Sequence, residues 1–266
     1  MTAGSVRTGV RQRTPAARAA ALGLAIALLA AGTAAGQAAG DIVAQLKRDA
    51  TSLITIDRPP TGGQLALGLG LFALVSSADP HLSEQSRAHL PGWVDHFKSG
   101  GATGSANTLA VALAGGGLLA GDHRVTTGGL TLLEGNVVLG VVLQLSKRAF
   151  GRVRPNRPGP GRWFAGGDSF PSDHTAHAFL VASVLDAVID RPAWRWALYP
   201  LASCVALDRL HEGVHYPTDV IAGGLLGWWI GHRLSASHGL AGRPGRVTVS
   251  WAPIPGGALI AARAAF

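Results

Sequence analysis

Apolar residues along the chain gather into six runs: Leu65 to Val75, Leu109 to Ala120, Leu130 to Leu145, Ala176 to Ile189, Trp194 to Leu207 and Val220 to Ile230. Their lengths predict six helices, three on either side of a basic, proline-rich loop. Ahead of them, Asp41 to Pro60 reads as an amphipathic lead-in ended by Pro59-Pro60 and Gly62-Gly63. Behind them, Gly239, Gly242, Pro244 and Gly245 form a linker, Val247 to Trp251 alternates as a strand does, and Ala258 to Phe266 returns after a turn at Pro253 to Gly257. The expected fold is therefore all-α, a helical bundle of about six core helices with a short C-terminal β-hairpin over residues 246–266. Two strands cannot close a barrel, so the hairpin is expected to pack on the bundle.

Run length bears on the solvent these helices face. A helix needs about 20 apolar residues to cross a bilayer comfortably, and most of these runs are shorter. Glu134, Asn136 and Gln144 interrupt the third run and Asp186 the fourth, and in hydrocarbon such groups need partners inside the bundle. A soluble or peripheral bundle is the first reading, and a compact multi-pass inner-membrane bundle is the alternative. The composition fits both, with 266 residues, 47% apolar, 14% charged and a mean hydropathy of +0.26. Gly115 to Gly117 and Gly223-Gly224 would let helices approach closely in either solvent.

Charge alters the reading of the N-terminus. Arg7, Arg11, Arg13 and Arg18 supply four of the +8 formal charges and precede an apolar stretch from Ala19 to Ala31 and small residues at Thr33 to Ala35. Residues 1–35 thus read as a secretory signal peptide, with a retained N-terminal anchor as the alternative. Either places the rest of the chain outside the cytoplasm, periplasmic or held at the membrane. The single cysteine, Cys204, lies in an apolar run and reads as a small buried hydrophobe.

Three polar clusters interrupt this apolar pattern. Lys147, Arg148, Arg152, Arg154, Arg157 and Arg162 share one sixteen-residue window without an acid. Arg148, Arg157 and Arg162 read as solvated charge. If the preceding helix persists, Lys147 and Arg154 fall on one face about two turns apart, with Pro155 stopping the helix; guanidinium and ammonium groups suit phosphate oxygens. Pro171-Ser172-Asp173-His174 reads as a helix start, where free N–H groups bind an anion and His174 can act as a general acid. Ser172 and Asp173 as plain helix caps are the alternative. In Arg209-x5-His215-x3-Asp219 the spacing lets Asp219 accept from one ring nitrogen of His215 and leave the other free as a nucleophile, or else form a structural ion pair. His177 and His211 read as neighbours of the site, and His81, His89, His96, His123, His232 and His238 show no spacing for a metal centre. The basic window has a single aromatic residue, Phe150, and no run of interleaved aromatics, which argues against nucleic acid.

Taken in order, these clusters over Leu130 to Gly231 resemble the signature of the type 2 phosphatidic acid phosphatase and vanadium haloperoxidase superfamily. The resemblance implies a helical domain over residues 41–238 and a metal-independent phosphatase without a cofactor, vanadate being able to stand in for phosphate. It implies His215 as nucleophile, Asp219 as its orienting partner and His174 as acid, with Lys147, Arg154, Ser172 and Arg209 holding phosphate oxygens. Asp173 stands in the phosphate site where the family usually has Gly, and Asp208 where Ser usually precedes Arg209. A carboxylate at 173 should repel a dianion unless it points away, so reduced turnover or a shifted pH optimum is expected. The function implied is hydrolysis of a phosphomonoester or pyrophosphate on a lipid or small organic molecule. A vanadate-dependent haloperoxidase and a weakened phosphate- or lipid-binding protein are the alternatives.

Overall fold

The computed structural model describes residues 39–55, 61–240, 246–254 and 257–265. The expected signal or anchor, the Pro59-Pro60 break, Gly242, Pro244 and Gly245 of the linker, and Phe266 lie outside the described residues. The helices are α1 (Ala39–Ile54), α2 (Gly62–His89), α3 (Thr103–Ala120), α4 (His123–Phe150), α5 (Asp173–Ile189), α6 (Arg195–His211) and α7 (Pro217–Ser237). Short 3₁₀ turns at Gly92–Phe97 and Pro192–Trp194 precede α3 and α6. Each expected run lies within one of α2 to α7, apart from Trp194 itself, which closes the second 3₁₀ turn. The chain divides into two compact units at Arg48/Asp49. Of the first, only the opening turns of α1 are described; the second holds the bundle and the site.

Helix boundaries follow local chemistry. Thr61 and Gln64 form a capping box that starts α2, and Asp122 accepts from the N–H groups of Arg124 and Val125 to start α4. Gly151, at φ 46°, ends α4 in a left-handed turn. The helix therefore stops before Arg154, and the expected shared face of Lys147 and Arg154 does not form. α2 runs through Pro80 and continues to His89.

α5 is the central helix. Ala176, Leu180 and Val184 on one side pack with Leu132, Leu139 and Leu143 of α4 and Ile230 and Leu234 of α7. Ala178 and Ala182, on another side, pack with Ala202 and Val205 of α6. α7 lies closest to α5 along Gly223, Gly227 and Gly231, three glycines at four-residue spacing. A Cβ at Gly223 would sit 2.5 Å from the Ser172 carbonyl oxygen, and one at Gly227 1.9 Å from that of Ala176. Only glycine permits that approach.

α2 is turned inside out relative to a helix in water. Leu65, Leu67, Leu69, Leu71 and Leu74 are each more than half exposed, whereas Asp79 and Ser83 are buried. α2 and α4, each 28 residues, are long and apolar enough to cross a membrane. A polar interior and a leucine exterior suit surrounding hydrocarbon, so membrane association replaces the soluble reading. That reading measured the apolar runs alone, and both helices continue past them. Beyond the bundle, strands β1 (Arg246–Ile254) and β2 (Gly257–Ala265) run antiparallel, with Arg246 opposite Ala265.

Gly227→Ala should overpack the α5–α7 contact at a cost of about 1–3 kcal/mol. Thermal unfolding in detergent should show a lowered midpoint, while Gly140→Ala, where a Cβ meets nothing within 4 Å, should leave it unchanged.

Candidate active site

At the heart of the site lies a guanidinium. Arg152, 2% exposed, donates from Nη1 to Asp219 Oδ1 (2.7 Å) and Thr218 Oγ1 (2.8 Å), and from Nη2 to Asp79 Oδ2 (2.7 Å). Its flat faces meet Trp163 and Tyr216, with ring centroids 4.4 and 4.0 Å away. Asp79 also accepts from the backbone N–H of Thr218 (3.1 Å) and from its hydroxyl. One arginine thus binds α2 to the first turn of α7. Edge-to-face contacts of Phe72, Phe150, Trp163 and Phe170 hold the intervening loop over it.

Asp219 belongs first to this network. Its carboxylate takes Arg152, the Ser169 hydroxyl and the Tyr216 N–H (2.9 Å), and stands 3.5 Å from His215 Nδ1. The closer partner of His215 Nδ1 is the Ser169 carbonyl oxygen at 2.8 Å. The direct His215–Asp219 hydrogen bond expected from spacing is therefore taken over by a backbone acceptor. A carbonyl only accepts, so Nδ1 carries a proton, and in the neutral ring Nε2 keeps its lone pair. Asp219 acts on the ring from the next shell out, by fixing Ser169.

Each of the three cations that the resemblance assigns to phosphate, Lys147, Arg154 and Arg209, already has an acid. Lys147, buried at the end of α4, pairs with Asp173. Arg154 grips Asp168 with two bonds of 2.8 and 2.9 Å. Burial works to raise the Asp168 pKa, but Arg154 and the nearby Lys147 charge outweigh it and hold it below the usual carboxylate value. Arg209, 5% exposed, pairs with Asp208 and with Glu212 at 2.9 Å. Asp173 and Asp208, the two acids expected to depart from the family pattern, are thus both counter-ions of cations that the resemblance assigns to phosphate. Asp173 points at Lys147 rather than away from the site.

Ser172 is the N-cap residue of α5, but its hydroxyl meets Thr175 Oγ1 at 3.1 Å and does not cap a backbone N–H. Its own N–H donates to the Asp219 carbonyl oxygen (3.0 Å), joining the second cluster to the third. His174, in the first turn, is held neutral: burial, then the charges of Arg209 and His215, lower its pKa to about 4. His177 bonds the Asp173 carbonyl at 2.9 Å, and His211 pairs with Asp95 at 2.7 Å on the surface.

Sequence reasoning passed over Arg152, Asp79, Ser169, Asp168 and Thr218. Arg152 was one charge among six, and nothing local distinguishes it from Arg157. Asp79 did carry a signal, as an acid ending a long apolar stretch, where burial demands a cation.

Arg152→Met should leave Asp79 and Asp219 buried without a counter-ion and cost about 3–5 kcal/mol in unfolding experiments. The exposed Arg157→Ala should stay within about 0.5 kcal/mol of wild type. Because the folded pKa of His174 is about 4 against 6.5 unfolded, the unfolded chain binds the extra proton between those values. Stability of the free protein should therefore fall as pH drops from 6.5 toward 4, and His174→Asn should flatten that slope.

Comparison with known proteins bears on this geometry. Residues 128–242 match the model described as PAP2 superfamily. The Bacillus licheniformis bacitracin transport permease protein BcrC is 38% identical over 78 residues, 27% of this chain and 37% of that one. Undecaprenyl-diphosphatase from Sulfolobus acidocaldarius is 34% identical over 108 residues, 38% of this chain and 51% of that one, and Rhizobium etli lipid A 1-phosphatase 37% over 105, 35% and 43%. The chain spans about half the length, or less, of these relatives. A transmembrane PAP2-type phosphatidylglycerolphosphate phosphatase of Bacillus subtilis aligns in structure at TM-score 0.47 and 23% identity, covering 65% of this chain and 94% of that one. Residues 128–242, which hold all the site residues named from the sequence, are thus the part of the chain that is similar to the PAP2 superfamily.

Proposed function

We propose that this protein is a membrane-embedded phosphatase that hydrolyses a lipid-linked phosphate or diphosphate, with its site facing the periplasm. The observation that carries the lipid reading is a groove of about 570 Å³ that starts beside Asp173, His177 and Arg148 and follows α4 as far as Asn136. Its α4 wall includes Val137, Val141 and Leu145, each more than half exposed. A headgroup among the cations with its chain along this wall would remain in contact with hydrocarbon. The names of the curated relatives, undecaprenyl-diphosphatase and lipid A 1-phosphatase, support the same substrate class. The basic and apolar N-terminal stretch supports the outward-facing orientation.

In this reading the phosphate enters between Lys147, Arg154 and Arg209, drawing them from their resident acids, and meets the free N–H groups at the start of α5. His215 Nε2 attacks phosphorus as the P–O bond to the lipid breaks, and the Nδ1–H bond to Ser169 steadies the imidazolium that forms. His174 gives its proton to the departing oxygen. Neutral in the free protein, it becomes charged beside a bound dianion, so the acid is armed by the substrate itself. Water then attacks the phosphohistidine, returning its proton to His174 and releasing inorganic phosphate. Side chains alone carry these steps, and vanadate would bind as a mimic of the five-coordinate phosphorus.

Phosphate release from undecaprenyl diphosphate, phosphatidate, phosphatidylglycerophosphate and a chromogenic monoester in mixed micelles should show a preference for lipids. His215→Ala should lower turnover about 10³-fold or more. Bromide oxidation after vanadate loading, with no phosphate release from any substrate, would instead identify a haloperoxidase. Asp173→Gly should release Lys147 for the phosphate and lower KM or raise kcat. Turnover unchanged or lower in that variant would argue that Asp173 orients Lys147 rather than competing for it.

A further inference from the structure

A second polar cluster lies at the other end of α7. Asp49 from α1, Glu134 from the middle of α4 and His238 just past α7 bring one ligand atom each to within 4.8 Å of one another. Asp49 is 2% exposed and the His238 side chain 12%. α7 is 21 residues long, so at 1.5 Å per residue this cluster stands about 30 Å from His215 and has no part in the site above.

Hydrogen bonding fixes the state of the ring. Thr131, fully buried, donates its hydroxyl proton to the Thr127 carbonyl at 2.8 Å. At 2.6 Å from His238 Nδ1 its oxygen therefore accepts, and Nδ1 carries a hydrogen. Nε2 is then turned toward two carboxylate oxygens, Asp49 Oδ2 and Glu134 Oε2, each at 3.3 Å. Nε2 facing two anions calls for a positive charge there, as a proton on the ring or as a metal ion in its place. A proton is one candidate, yet a charge-assisted N–H···O bond closes to about 2.7–2.9 Å. A tetrahedral ion with bonds of about 2.0–2.1 Å sets its ligands about 3.3–3.4 Å apart.

We propose that Asp49, Glu134 and His238 form a structural site for a zinc-class divalent cation, with water as the fourth ligand. One nitrogen with two oxygens suits zinc better than the all-oxygen preference of magnesium. The Nδ1–H bond to Thr131 is the outer contact that orients a metal-bound imidazole. The ion ties α1 to α4 and to the end of α7, and the absence of recognisable spacing in the sequence follows from its three ligands lying on three distant elements.

Full-length protein without a histidine tag, stripped with EDTA and dialysed in detergent, tests this with zinc chloride, and with magnesium chloride as control. Elemental analysis should find stoichiometric zinc, and the unfolding midpoint should rise with zinc alone. Glu134→Gln, which keeps shape and bulk, and His238→Gln should each lower zinc retained at limiting concentration at least tenfold. Wild type that retains no zinc, variants that retain as much as wild type, or an equal response to magnesium would each overturn the assignment. None of these outcomes depends on phosphatase activity.

Discussion

The pairing of Arg152 with Asp79 and Asp219 is the constraint around which the rest is arranged. A guanidinium without solvent needs acceptors for its donors and cover for its faces, and here the acids of two helices take both terminal nitrogens and the rings of Trp163 and Tyr216 cover the faces, Nε alone keeping no partner. Asp79 draws the polar end of α2 inward and leaves its leucines outside. Asp219 fixes Ser169, and the Ser169 carbonyl sets the tautomer of His215. The outward face that suits a membrane and the tautomer of His215 thus descend from one buried charge.

Close helix contact completes the frame. Gly223 and Gly227 press the first half of α7 onto the start of α5, so the loop bearing His215 and the helix start bearing His174 share a common base. Their relative placement is set by backbone against backbone, the least yielding contact a helix pair can make. α4 adds Lys147 from a third direction, through a helix that Gly151 ends.

Much of this was legible in the sequence, for identifiable reasons. Apolar runs marked α2 to α7, since burial of helical faces needs such runs, and the three clusters marked the helix ends that carry the site. Helix length was not legible, because α2 and α4 continue past their apolar runs through polar residues such as Asp79 and Lys147, whose partners lie on other elements. Nor was the pairing of cations with acids: Asp168 and Glu212 carry no spacing code, and Asp173 looked like an intruder until Lys147 was seen to hold it. The tautomer of His215 rests on a backbone carbonyl from a distant loop, which no side-chain pattern can announce. His238 drew no attention because its partners are far away in the chain.

The resident acids also have a kinetic consequence. A cluster of bare cations projects a field that gathers dissolved anions from tens of ångströms away. Lys147, Arg154 and Arg209, each beside its own carboxylate, are nearly silent at that range and act only on contact. Phosphate esters free in water would gain little acceleration toward such a site. A substrate already confined to the bilayer needs none, because diffusion in the plane of the membrane brings its headgroup to the cleft.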